Sequence, residues 1–157
     1  MTGAELEQRA TNFGIDPRII HAIISQESNW NNYALRYEPE WRYLINPESH
    51  AKQIGVTVAT EIHTQSMSWG LGQLMGSVVR ELGYAGPMGL LFQPDLNLKY
   101  LCMKVKEIEK TAKSPGQIFS CYNWGMGALS NMKEDQYPNQ EYVNSCMQHY
   151  KEYLDAQ

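Results

Sequence analysis

The chain has 157 residues, 43% apolar and 19% charged, with a net charge of −4. That balance suits one folded domain with a real core and excludes a disordered chain, and no apolar run reaches the length of a membrane-crossing helix. The acidic sign and the lack of any basic run argue against a nucleic-acid surface. Met1 to Glu7 is acidic and polar, so no signal peptide is visible. Cys102, Cys121 and Cys146 lack CxxC or His/Cys ligand spacing and are expected to be small buried hydrophobes; no metal and no cofactor are expected.

Residues 4–13 predict a short amphipathic helix with Leu6, Ala10 and Phe13 on one side, ended by Gly14. Asp16 is a good N-cap and Pro17 a good first residue for the next helix, whose apolar stripe is Ile19, Ile20, Ile23 and Ile24. Glu27 continues that stripe, four residues after Ile23 and three after Ile24. A carboxyl so placed is partly withdrawn from water. Burial disfavours its charged form, so it is expected to keep its proton toward neutral pH, which is what a general acid needs.

Asn29 to Tyr33 reads as a polar, aromatic loop. Residues 34–66 are the least regular part, with short helices expected at 39–45, 48–53 and, capped by Thr57, 58–65. No strand alternation is sustained. Gly70 and Gly72 open a segment that turns helical through Val78, Val79 and Leu82 and stops at Gly83; 84–92 reads as a loop. Pro94 starts the best helix, with Leu98, Leu101, Val105, Ile108 and Ala112 as its apolar face and Lys99, Lys104, Lys106, Glu107 and Lys110 mostly elsewhere. Ser114-Pro115 caps another helix through Ile118, Phe119, Cys121 and Tyr122, which runs out at Asn123 to Gly127. A last helix covers about 140–154, with Tyr142, Val143, Cys146, Tyr150, Tyr153 and Leu154 as core contacts. The chain reads as all-α, without repeat or linker, as one compact domain over 1–157 with an atypical insertion at about 34–66.

Three short stretches stand at helix ends in a fixed order: Glu27-Ser28, Gly70-Leu71-Gly72-Gln73-Leu74-Met75, and Cys121-Tyr122-Asn123-Trp124-Gly125. Together, over about residues 15–127, they resemble the soluble (Slt) type of lytic transglycosylase, relatives of goose-type lysozyme. Pro94-Asp95-Leu96-Asn97-Leu98 is similar to the family's proline-led long helix. Gly72 stands where the family usually has methionine, Cys121 where it has alanine, and Arg36 about where a serine is often found. The longer spacing, with Tyr37-Glu38-Pro39-Glu40-Trp41, is similar to phage-associated members.

The resemblance implies a lysozyme-like helical domain with a substrate cleft, and a peptidoglycan lytic transglycosylase that cuts between N-acetylmuramic acid and N-acetylglucosamine. It implies Glu27 as the catalytic residue, acid and then base, closing a 1,6-anhydro ring, and Ser28, Ser68, Gly70, Gln73, Tyr122 and Asn123 as substrate-binding residues. Glycan strands are the implied partner, with no nucleic acid and no membrane span. The bacterial wall is the implied place of action, in the periplasm or by delivery from a virion or secretion apparatus. Gly70 and Gly72, without Cβ atoms, let backbone approach a sugar; a simple helix start is the competing reading. Gln73 would hold Glu27 or a sugar amide, and Tyr122 would bring its hydroxyl near Glu27. Trp30, Trp69 and Trp124 flank the motifs and offer faces for sugar rings, some being core instead.

Glu38, Glu40 and Glu61 are rival second carboxylates: one of them across from Glu27, with room for water, would make the protein a hydrolysing muramidase. The same cleft would also suit a glycan binder without catalysis, and the same fold a structural virion component. His21 and His63 read as ordinary helix residues rather than ligands.

Overall fold

Asp16 sets the register of the helix that carries Glu27: its extended backbone and its carboxylate, accepting from the Arg18 amide at 3.0 Å, cap α2 (Pro17–Ser28), with Pro17 in the first turn. The computed structural model in which this is seen describes residues 3–133 and 136–155, apart from the side chains of 154 and 155. In chain order its helices are α1 (Gly3–Asn12), α2, α3 (Pro47–Ile54), α4 (Val58–Gln65), α5 (Gly76–Glu81), α6 (Pro94–Glu109), α7 (Pro115–Trp124) and α8 (Gln140–Asp155). Strands β1 (Leu35–Tyr37), β2 (Met67–Trp69) and β3 (Leu74–Met75) and two 3-10 turns, Met88–Phe92 and Met126–Ala128, complete the order. Helix dominates, as the sequence predicts. The chain divides into two compact units, residues 1–29 with 101–157, and residues 30–100.

In the first unit α2 packs on α1 and α8, and α7 packs on α8. Ile19, Ile20, Ala22, Ile23 and Ile24 of α2 are buried, as are Leu101, Cys102, Val105 and Ile108 of α6 and Val143 and Cys146 of α8. At roughly 1.5–3 kcal/mol per buried aliphatic side chain, the isoleucine stripe alone accounts for α2 being a core helix. The hydroxyls of α8 then fasten it to the N-terminal helices. Tyr150 donates to Asp16 at 2.9 Å, Tyr142 to Glu27 at 2.6 Å, Ser145 to Gln26 and Tyr153 to Glu7. Phe13 falls beyond the end of α1 and is half-buried; the Leu154 side chain lies outside the described residues.

The second unit holds a small antiparallel sheet of order β1-β2-β3, with Leu35 opposite Trp69 and Ser68 opposite Met75. Strands of two or three residues carry too little alternation to be read from sequence. Its core polar cluster is a buried ion pair between α4 and α5: the Arg80 guanidinium donates to both carboxylate oxygens of Glu61, at 2.8 and 3.1 Å. The same guanidinium donates to the Tyr84 and Gly86 carbonyls, each at 2.8 Å. Residues 39–45, expected as a helix, are turn and irregular backbone instead. Their partners come from elsewhere in the unit: Gln65 brackets Ile45, Trp41 donates to Ser77, and Tyr43 donates to Glu81. Tertiary bonds override local preference there. The helix expected to open at the Gly70 pair begins only at Gly76, after a turn and β3; the 84–92 loop contains the 3-10 turn.

Candidate active site

Glu27 sits in the last turn of α2, half-buried, and polar groups from three other helices, α6, α7 and α8, act with its carboxylate. The Tyr142 hydroxyl of α8 donates to Oε1 at 2.6 Å, a short charge-assisted bond. Tyr122 of α7 is buried, and its phenol is pushed well above the ordinary tyrosine value by burial and then by the Glu27 charge. Tyr142 is raised for the same two reasons. From α6, Lys104 donates to the Tyr122 carbonyl at 3.1 Å, and its ammonium lies 3.6 Å from the centre of the Tyr122 ring. Burial lowers that ammonium to about 8, against an opposing pull from Glu27. Cys102 and Cys146 are pushed up to about 12, chiefly by burial, and so are protonated thiols at any working pH. The sequence predicts apolar burial as the influence on Glu27. The Tyr142 phenol bonds it as well, and the Glu27 charge acts on the Lys104 ammonium.

The end of α2 is backbone-strained. Asn29 and Trp30 both have positive φ, 48° and 64°, which costs about 1–3 kcal/mol per residue for a side chain other than glycine. Asn29 closes the helix by donating its amide to the Ser25 carbonyl. Ser28 donates back to the Ile24 carbonyl at 3.2 Å, within its own helix. Asn123 accepts from the Asn139 amide at 2.9 Å and is otherwise exposed. Asn139 in turn accepts from Ser120 at 2.6 Å, which ties the end of α7 to the approach to α8.

The Gly70 turn belongs to the second unit, and its geometry is explained by Asn97. That side chain has no exposed surface; it donates to the Trp69 and Leu91 carbonyls and accepts from the Gly72 amide at 3.0 Å. A Cβ on Gly70 would lie 2.5 Å from the Asn97 amide nitrogen and 2.7 Å from the Leu91 carbonyl, and its φ is +64°. Glycine is therefore required at 70 by protein packing, whatever a sugar requires. Gln73, with φ of 46°, donates to the Ala34 and Gly70 carbonyls and accepts from Ser68 at 2.9 Å. Gln73 and Ser68 thus hold the turn together.

The three tryptophans separate. Trp69 is core, donating to the Thr64 carbonyl at 2.9 Å, whereas Trp30 and Trp124 are exposed. Of the rival carboxylates, Glu61 is wholly enclosed by Arg80 and Gln65. Glu38 pairs with Arg36 at 2.5 Å, and the nearly fully exposed Glu40 pairs with Arg42 at 3.3 Å. His63 stacks on Tyr37, and His21 meets the edge of Tyr153. Among the described residues no group of three His, Cys, Asp or Glu side chains is placed to hold a metal ion, and no helix is long and apolar enough to cross a membrane.

Sequence reasoning places Tyr142 only in the core and Lys104 on the polar side of its helix. A signal for Lys104 exists: Asn97, Leu101, Lys104 and Ile108 recur at spacings of four, three and four, so two polar residues interrupt a buried stripe. A model of the transglycosylase SLT domain matches residues 5–144. No curated protein matches the chain.

Proposed function

The chain belongs to the transglycosylase SLT family, the lytic transglycosylases that act on peptidoglycan, and from that premise we propose that Glu27 is the single acid and base of the reaction. In the first half, the Glu27 carboxyl gives its proton to the glycosidic oxygen between N-acetylmuramic acid and N-acetylglucosamine. The C1–O bond breaks with its electron pair on the leaving oxygen, and an oxocarbenium-like centre remains on the muramic sugar. In the second half, the Glu27 carboxylate takes the proton of the same sugar's C6 hydroxyl. That oxygen bonds to C1, a 1,6-anhydro ring closes, and Glu27 is again the acid. The nucleophile is intramolecular, which supplies proximity without a second carboxylate to activate water.

The observation that carries this reading is the 2.6 Å bond from Tyr142 to Glu27 Oε1. It holds the Glu27 carboxylate in place at the end of α2. The condition of the rival carboxylates supports it further: Glu61 has no exposed surface, and Glu38 and Glu40 each pair with an arginine. Ser28, Tyr122 and Asn123 in the first unit, and Ser68, Gly70 and Gln73 in the second, are each proposed as sugar-binding residues. Several of them act through the backbone they hold, Gln73 and Ser68 above all.

Digestion of purified sacculi followed by mass spectrometry tests the proposal. Anhydro-muramic ends are expected from the native protein and none from Glu27→Gln. Reducing muramic ends, or an active Glu27→Gln variant, would overturn it.

A further inference from the structure

We propose that Lys104 is a positioning residue for the reaction: pinned between the carbonyl and the ring of Tyr122, its ammonium sets the pH range over which Glu27 holds its proton. The proposal rests on Glu27 being the acid. Its basis is the geometry of the pocket. Lys104 occupies a position on the buried stripe of α6, one turn before Ile108 and three residues after Leu101. Its Nζ donates to the Tyr122 carbonyl, 3.1 Å away, in the last turn of α7, where helix carbonyls favour a cation. The ring of the same residue holds the ammonium at 3.6 Å from its centroid. A lysine so anchored cannot follow its usual course out to water.

The phenols and thiols around the pair are held neutral. The Glu27 charge acts on Tyr122 from α7 and on Tyr142 and Cys146 from α8, and Cys102 from α6 acts on Tyr122. Burial, the first cause in every case, pushes each of these phenols and thiols upward. Arg9 of α1 acts on Cys102 by its charge, in the direction opposite to burial. Lys104, at about 8, is the neighbour whose charge changes close to neutral pH. Glu27 raises Lys104 by its charge, and burial outweighs that to leave the ammonium at about 8. Linkage makes the effect mutual: a charge that holds a proton on Lys104 must, by the same free energy, draw one from Glu27.

The consequence for the chemistry is specific. When Glu27 gives up its proton, a carboxylate appears in a poorly hydrated site, and a fixed ammonium nearby stabilises that charge as it develops. The same ammonium confines the acid form to lower pH. Lys104 therefore favours the carboxylate needed for the second proton transfer at the expense of activity on the alkaline side.

The test is the pH profile of anhydro-end formation, measured as kcat/KM on soluble glycan strands for the native protein, Lys104→Met and Lys104→Arg. Methionine keeps the length and apolar character of the stem and removes the charge; arginine keeps the charge. Lys104→Met is expected to move the alkaline limb upward by about one pH unit, the lower end of what a nearby charge does to a carboxyl. Lys104→Arg leaves the limb where it was. Should Lys104→Met fold poorly, as judged by its Tm, the reciprocal measurement decides on the folded Glu27→Gln variant. Lysine 13Cε chemical shifts are followed against pH, and the Lys104 transition should fall below its native value by about the same one unit. An unmoved limb in folded Lys104→Met, or an unmoved Lys104 transition in Glu27→Gln, overturns the proposal. An active Glu27→Gln would overturn the acid assignment instead, so the two failures are distinguishable.

Discussion

Removing both members of the Glu61–Arg80 pair should destabilise the second unit by less than the sum of removing each alone. Neither side chain has any exposed surface, and the guanidinium makes two bonds to the carboxylate and two to carbonyls. In Arg80→Met the Glu61 carboxylate keeps only the Gln65 amide, 3.0 Å from Oε1, and stays buried. An uncompensated buried charge of this kind costs about 3–5 kcal/mol. That is a large part of the roughly 5–15 kcal/mol available to a domain. Glu61→Met leaves the guanidinium with the Tyr84 and Gly86 carbonyls and should cost a similar amount. The double variant strands no charge. Its main loss is donors for those two carbonyls, at about 1–3 kcal/mol each at most. With central values of about 4 kcal/mol for each single variant and about 4 kcal/mol for the double, the cycle should show a coupling of about 4 kcal/mol. Urea titration followed by tryptophan fluorescence measures it. Single variants within about 1 kcal/mol of the native protein, or a double variant as unstable as the sum, would refute the reasoning. The same series bears on the chemistry: Glu61→Gln, assayed well below its Tm, should still form anhydro ends. A folded but inactive Glu61→Gln would make Glu61 a second catalytic carboxylate.

Tyr142→Phe deletes the hydroxyl that fixes Glu27 and should lower kcat by about 10- to 100-fold, the equivalent of one bond to a charged group, in the sacculus assay; an unchanged kcat contradicts its role. Asp16→Ala removes the α2 cap and should destabilise by about 0.5–2 kcal/mol in urea. Burial raises the Asp16 carboxyl, but bonds from Arg18 and Tyr150 outweigh it and hold it below the usual 3.8. Its contribution is therefore complete above that value and lost as pH falls through the folded value, so native and Asp16→Ala stabilities should converge only in strong acid. Gly76→Ala places a Cβ 2.2 Å from the Thr64 carbonyl and 2.7 Å from the Gln65 Cα. An overpacking loss of about 1–3 kcal/mol is expected, read as a fall in Tm.

Helices with strong punctuation were legible because their signals are local. The Asp16-Pro17 and Ser114-Pro115 starts and the Thr57 cap all act in the structure as the sequence predicts. Residues 39–45 were not, because Pro39 suits a first turn while the bonds that straighten the segment come from Gln65, Ser77 and Glu81, distant in sequence. The three-stranded sheet was hidden by strands too short to alternate. Around Glu27 the same division holds. The residue type and its place at the end of an apolar stripe could be read; the phenol that bonds it, 115 residues away, could not. Polar residues interrupting a buried stripe were the available clue. Asn97 and Lys104 both interrupt the α6 stripe, and both make bonds that shape a motif turn or face Glu27. The glycine at 70 carries a different message from the one expected, since Asn97 and Leu91 already fill the space that a Cβ would take.

The hydroxyls of α8 that reach back to Glu27, Asp16, Gln26 and Glu7 impose an order on biosynthesis. A nascent chain carries its carboxylates out of the ribosome long before the tyrosines that will hold them. With 115 residues between Glu27 and Tyr142, the delay is roughly ten seconds at common elongation rates. Throughout that interval the α8 side of the first unit is unbuilt, and Glu27 lacks the hydroxyl that holds it in the finished fold.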